Sequence, residues 1–583
     1  MKNLFIAAAA LLLIACNSSE KKEETNSSSQ DKAFDTYKNY FVEELWKNYP
    51  EWASSVGYHA YDSVMTVNDE THRKSELNFL NAQLDSLKKY DVAQLSSNNK
   101  TDYELMLNQL KSGIFNNEEL HADQWNPSLY NISGSCAELL AGNFDKLDNR
   151  VKSIHKKLIN AKAFYEAAKQ NIKNPTLEHT SLAIQQNEGA TSTFEIDYID
   201  SIKKTSFSES EKNEMITRAK EAALAIKDYV KWLKELKNDA PRSFRLGTEL
   251  YKKKFELDLQ ASSTYEQMFE KASKRKAEVQ NEMLKISKEL WPKYFDKKAM
   301  PSNDLELVRN MIDKLSEKHV AADSFQVAIE QQIPALVDFI KAKDLIYIDP
   351  SKPLVVRKEP AYMQGIAGAS ISAPGPYDKN GNTYYNVGTL ANYSKEAAES
   401  YLREYNYYIL QILNIHEAIP GHYTQLVYSN QSPSLIKSLF GNNAMIEGWA
   451  VYTERMMLEN GYGGGTPEFW LMYYKWHLRS VCNTILDISV HTKEMSKEDA
   501  IKFLVNEAFQ QQAEAENKWR RVSVTQVQLC CYFTGYSEIF DFREELKQKQ
   551  GANFNLKNFH EKFLSYGSAP VKNIRALMLE EEK

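Results

Sequence analysis

Apolar residues recur at three- and four-residue spacing through residues 33–116 and 150–345, on a background rich in Lys, Glu, Ala, Leu and Gln. That period gathers an apolar stripe on one side of a helix, so both stretches predict amphipathic helices. Gly and Pro are sparse there, which removes the usual helix breakers. The pattern changes between Leu354 and Leu390. Val355, Val356, Ile371, Ala373 and the run Thr383–Val387 favour strands, punctuated by Pro374-Gly375-Pro376 and Asn380-Gly381-Asn382. A small antiparallel sheet is expected there. From Lys395 the helical period returns, and Tyr401, Leu402, Tyr405, Ile409, Ile412 and Leu413 form a buried stripe leading into His416. Residues 442–458, 496–520 and 533–549 read as further helices. The fold class is therefore mainly α: a single large helical domain over residues 33–583. Its scaffold spans 33–345, and the sheet with the chemically interesting helices spans 346–583.

The amino terminus reads differently. Met1-Lys2-Asn3 is a short basic start, and Leu4–Ala15 is an apolar run too short to span a bilayer. It ends Leu13-Ile14-Ala15-Cys16, which resembles the lipobox of bacterial lipoproteins, with Cys16 as the lipidated residue; an ordinary signal peptide is the alternative. Residues 16–32, rich in Ser, Glu, Lys and Asn, read as a disordered tether. The body is expected to sit in the bacterial cell envelope, held to a membrane by lipid alone. A net charge of −6 over 583 residues gives no reason to expect nucleic-acid binding. Cys136, Cys482, Cys530 and Cys531 lack zinc spacing and are too few for a disulfide framework, though one disulfide is open in an oxidising compartment.

Candidate chemistry concentrates in His416-Glu417-Ala418-Ile419-Pro420-Gly421-His422 and in Glu447–Glu454. The first is a stretched form of H-E-x-x-H, in which two imidazoles and a carboxylate base surround a zinc ion. Histidines at i and i+6 fall roughly a third of a turn out of phase on an unbroken helix. Pro420 clashes with the carbonyl four residues back, that of His416, and Gly421 loosens the backbone. An inserted bulge at Pro420-Gly421 would bring His422 back toward His416. The alternative is a helix that ends at Ile419 and leaves two unrelated histidines. Glu447 is the candidate third ligand. Glu454, seven residues on and on the same helix face, is a candidate for orienting a ligand from behind.

These strings resemble those of a bacterial family named only as domain of unknown function 885, whose members look like zinc metallopeptidases of the gluzincin type. Its hallmarks H-E-x-x-P-G-H and E-G-W-A-x-Y-x-E are both complete here. The resemblance extends over most of the mature chain. It includes Pro50–His59, Leu478-Arg479, the D-x-x-x-H pair Asp487 and His491, and Gln526–Gly535. The chain departs from the family where Thr525 lacks a preceding Pro-Gly pattern, at Ile488-Ser489, and at Tyr423, where many members carry a second histidine. The resemblance implies a helical fold with a central cleft and zincin-like active-site helices, broadly like angiotensin-converting enzyme and the oligopeptidases. That likeness is one of fold and does not establish a reaction.

The chemistry expected of such a centre is hydrolysis. Zn2+ held by His416, His422 and Glu447 would leave a position for water, with Glu417 taking its proton. Tyr532 and His491 are candidate donors to the developing oxyanion, and Arg479 a candidate binder of a substrate carboxylate. Tyr384 and Tyr385, in the expected sheet, are candidate contacts for a peptide added as an extra strand. Three readings stay open: a zinc peptidase, a metal hydrolase of another amide or ester, and a silent lipoprotein that binds peptides on an inherited scaffold.

Overall fold

The helical period is realised along nearly the whole chain. A computed structural model describes residues 29–352, 354–359, 369–378, 381–391 and 393–581. The expected signal peptide and Cys16 lie outside the described residues. The first helix, Ser29–Asn48, takes in the last four residues of the expected tether. Its Asp31 accepts hydrogen bonds from the Ser96 backbone N–H and the Asn99 side chain, both at 2.9 Å, which ties this end to the body.

Buried apolar residues form two clusters. One lies within residues 65–233 and centres on Tyr130, Ile154, Tyr165, Phe194, Tyr198, Ile226 and Tyr229. The larger one runs from Phe34 to Met578 and crosses the expected division at residue 345. Helix α1 (Tyr265–Phe295) packs in this larger cluster. So does α2 (Phe325–Lys343), whose Ile329, Leu336 and Ile340 are buried beside the helices that follow.

Helix α3 (Tyr407–Glu417) begins where the Asn406 side chain accepts from the backbone N–H groups of Tyr408 and Ile409. That cap divides the stripe running from Lys395, so a separate helix, Lys395–Glu404, precedes it. Ile409, Leu410, Ile412 and Ile415 are at most 1 % exposed. At roughly 1.5–3 kcal/mol for each such side chain, this face holds α3 far more firmly than any one hydrogen bond, worth about 1 kcal/mol. Next come α4 (His422–Ser429), α5 (Asn443–Glu459), α6 (Pro467–Thr492), α7 (Gln512–Val524), α8 (Cys531–Gln550) and α9 (Leu556–Ser565).

Strands β1 (Leu354–Lys358), β2 (Ala369–Ser372) and β3 (Thr383–Val387) form one sheet in the order β1-β3-β2. The expected sheet was antiparallel; the observed one is mixed. β2 and β3 form an antiparallel pair, whereas β1 runs parallel to β3. Side-chain propensity marks where strands occur but carries no information about strand order, which the crossover from β1 to β2 decides here. Cys136, Cys482, Cys530 and Cys531 are buried free thiols, so the disulfide left open by the sequence does not form among the described residues. No described helix is long and apolar enough to cross a membrane.

Candidate metal centre

The chain breaks between the two histidines instead of bulging. Helix α3 stops at Glu417, and α4 starts afresh at His422 after a cis Ile419–Pro420 peptide. The Gly421 N–H turns back to the Ile415 carbonyl at 3.0 Å. A Cβ on Gly421 would lie 1.8 Å from the His416 carbonyl oxygen, so no side chain fits at this position. The break re-aims His422: its ring centroid lies 4.9 Å from that of His416.

Glu447 completes the group. Its Oε2 is 3.7 Å from His416 Nε2 and 3.4 Å from His422 Nε2. One donor atom from each of the three residues lies within 4.8 Å of the others. Two ligand atoms sharing a tetrahedral zinc at about 2.0–2.1 Å are separated by roughly 3.4 Å, so two imidazoles and a carboxylate at this spacing suit that ion. Their side chains are 9 %, 13 % and 20 % exposed, so the group is recessed but open to solvent.

The rest of the second motif serves the same group. Glu454, fully buried, has its Oε1 2.7 Å from His416 Nδ1. With Nδ1 held by this carboxylate, Nε2 is the nitrogen turned toward Glu447, the arrangement in which histidines bind metals. Trp476 on α6 donates to the same Glu454 oxygen at 3.0 Å. Trp449 donates to the Pro420 carbonyl at 2.8 Å and fastens the break between the histidines to α5. A Cβ on Gly448 would lie 2.3 Å from the Gly535 carbonyl carbon, so α5 and α8 touch backbone to backbone here. Tyr452 is 2.7 Å from His560 on α9, whose other ring nitrogen reaches the Leu345 carbonyl.

Burial disfavours a charged His416, but the carboxylates of Glu447 and Glu454 outweigh it and lift this imidazole to about 10. Glu447 is carried well below the usual carboxylate range: burial opposes the shift, and the two imidazoles overcome it. Without a cation, then, the group holds a proton that a metal would displace. Glu417 is raised by burial and by Glu447, against the pull of both histidines. Its carboxylate makes no hydrogen bond or ion pair with a described residue.

The remaining candidates separate. Tyr532 stands in the electrostatic field of Glu447. Its oxygen accepts from Arg521 at 2.7 Å and Gln528 at 3.4 Å, leaving its own O–H to donate elsewhere. Burial pushes that phenol up to about 12, so it stays a donor. His491 is not with the triad. Its Nε2 meets the Val522 carbonyl at 3.0 Å, and its ring stacks on Tyr251. Asp487 accepts from the Tyr251 hydroxyl and the Val527 N–H. The D-x-x-x-H pair thus pins the turn between α7 and α8, where Val527 holds a left-handed φ of 70°. A carboxylate and an imidazole that fasten this turn are positioning groups, so the expected catalytic role of His491 gives way to a structural one.

Tyr385 is also displaced from its expected role. It is 0 % exposed and donates to Asn414 Oδ1 at 2.9 Å, bracing α3 from inside the core with no face for a substrate. As the central strand, β3 turns this residue inward. Tyr384 carries the Arg357 guanidinium on its ring at 3.9 Å. Arg479 is paired with Glu514 at 2.6 Å and lies over the Trp476 ring. Tyr423, the departure from the family pattern, is buried with its hydroxyl on the Lys352 carbonyl. Sequence reasoning missed Trp476 and Arg521, which belong to no string near the histidines. The tryptophan in Glu447-Gly448-Trp449 was at least flagged by its neighbours.

The family model described as "Bacterial protein of unknown function (DUF885)" matches residues 50–578. The structure is similar to a candidate lipoprotein of unknown function from Shewanella oneidensis, at 53 % identity and a TM-score of 0.83, over 94 % of this chain and 99 % of that one. It is also similar to a candidate lipoprotein from Colwellia psychrerythraea at 16 % identity and a TM-score of 0.78, over 95 % and 100 % of the two chains. That second likeness is one of fold alone. No curated protein matches the chain.

Proposed function

Because the chain belongs to the bacterial family of unknown function DUF885, which names no reaction, we propose from the site's geometry that it is a zinc-dependent hydrolase of peptides in the cell envelope. The observation that carries this reading is the convergence of His416, His422 and Glu447, with Glu454 behind His416. His416, His422 and Glu447 would hold a zinc ion, which would supply a Lewis acid to polarise a carbonyl and acidify water. Glu417, next in sequence to His416 and without a hydrogen bond or ion pair to a described residue, takes the water's proton at its carboxylate and returns it to the leaving nitrogen. Tyr532 donates its hydroxyl proton's hydrogen bond to the oxyanion, held in place by Arg521. A peptide is favoured over other amides because β2 is a sheet edge that packs on α3, where an extended chain can add as a strand. Anchoring through Cys16 is part of the proposal, in keeping with relatives described as lipoproteins.

The test is Glu417→Gln in purified protein incubated with a peptide library read by mass spectrometry. The variant keeps its metal and loses turnover by about 100-fold or more; unchanged turnover would refute the role. Cleavage of esters but of no peptide would refute the substrate class.

A further inference from the structure

Beside the centre, on α6 and α7, positive charge is in excess. Four basic side chains, Lys475, Arg479, Lys518 and Arg521, gather here, and the ion pairs among the described residues, made by Glu404 and Glu514, reach the first three and leave Arg521 out. Lys475 is matched by Glu404 at 2.8 Å, with both side chains almost fully buried. Glu514 is 2.6 Å from Arg479 and 3.8 Å from Lys518, Glu404 also acts on both from farther off, and Glu447 of the centre is the carboxylate that faces Arg521. Arg479 Nη1 is buried without a hydrogen-bond partner. Among the described residues Arg521 bonds neutral groups, Gln528 Oε1 at 2.8 Å and the Tyr532 hydroxyl at 2.7 Å. Like charges held this close inside a protein are costly unless something negative joins them. Burial and the two arginines accordingly push the Lys518 ammonium well down.

The surplus adjoins the candidate centre. Arg521 shares Tyr532 with it and feels the charge of Glu447. Arg479 lies 4.9 Å over the ring of Trp476, the same side chain that holds Glu454. Neither arginine is sealed off: the Arg479 side chain keeps 18 % of its exposure and Arg521 is partly exposed, so an anion can approach the edges of these planar groups.

Resting on the hydrolase reading above, we infer that the substrate presents a carboxylate to Arg479 and Arg521, with Lys518 behind them, so that anionic peptides are selected. The carboxylate is either the peptide's own C-terminus or an Asp or Glu side chain. A C-terminal source would make the protein exo-acting, because the chain would end a short distance beyond the scissile bond.

Binding measured on zinc-loaded Glu417→Gln protein tests this without relying on turnover. The probes are N-acetyl-trialanine as free acid, the same peptide as C-terminal amide, and an amidated analogue with one glutamate. The free acid binds about 100-fold more tightly than the amide; tight binding of the glutamate amide instead assigns the side-chain source. Placing Arg521→Gln on this background brings the acid-to-amide ratio close to unity, and Arg521→Lys restores part of it. Thermal melting checks that both fold, and Arg479→Lys is the second site to vary. Equal affinity for all three probes, no binding of any, or an unchanged ratio in Arg521→Gln overturns the inference. Acid-selective binding with no cleavage by the native protein removes the hydrolase reading and leaves the carboxylate site. Cleavage of acid and amide at equal rates does the reverse.

Discussion

At the scale of single residues, Glu454 makes the clearest prediction. Fully buried and 2.7 Å from His416 Nδ1, it fixes the ring that presents Nε2. Glu454→Ala is expected to weaken zinc affinity by about 10- to 100-fold while leaving the three ligands in place; titration against a chelator gives the constant, and an unchanged value would contradict the role. Asp487 makes a prediction about pH. Burial pushes its carboxyl up to about 7, partly offset by Tyr251 and two backbone N–H groups. Unfolded, it ionises near pH 4. The raised folded value means its contribution is fully present below about pH 4 and is lost as pH rises to about 7. Urea unfolding of Asp487→Asn should lack this loss, worth up to ~4 kcal/mol; parallel pH profiles of variant and native protein would contradict the assignment. Glu447 and Glu454 could be read from their seven-residue spacing, since both depend on local helical phase. Trp476 and Arg521 could not, because they reach the site only through tertiary packing of α6 and α7.

At the scale of elements, the break between α3 and α4 carries the argument. The sequence pointed to Pro420-Gly421 as the device that rephases His422, and the histidines do meet. The form differed: a bulge keeps one helix going, whereas here Pro420 ends the first helix and Gly421 opens a second. The steric demand is sharpest at Gly421. Gly421→Ala is expected to abolish stoichiometric metal binding while sparing most helical content by circular dichroism. The clash, 1.8 Å to the His416 carbonyl, falls on the ligand-bearing turn. Zinc binding equal to the native protein would count against this reading of the break. The run Thr383–Val387 is β3, and Val355, Val356 and Ile371 fall in β1 and β2 while Ala373 lies just past β2, yet the strand order was out of reach. Alternation and turn residues act within a hairpin, and the parallel β1–β3 pairing is a long-range choice.

At the scale of the whole molecule, the larger of the two buried clusters carries the recessed group of metal-suited donors, with the mixed sheet packed on α3. The larger core explains the rigidity that such a group needs. Ile409, Ile412 and Ile415 hold α3, while Trp449 and Gly448 lock α5 against the break and α8. Helical content was readable because the apolar period recurs along hundreds of residues. The larger cluster runs through residue 345, where burial joins α2 to α3.

The most direct test is the zinc content and coordination of the purified protein, by elemental analysis and X-ray absorption, beside His416→Ala and Glu447→Ala. One zinc per chain with two imidazole nitrogens and carboxylate oxygen, lost in both variants, is the predicted result. Native protein that takes up no stoichiometric zinc, or variants that retain it unchanged, would contradict the account.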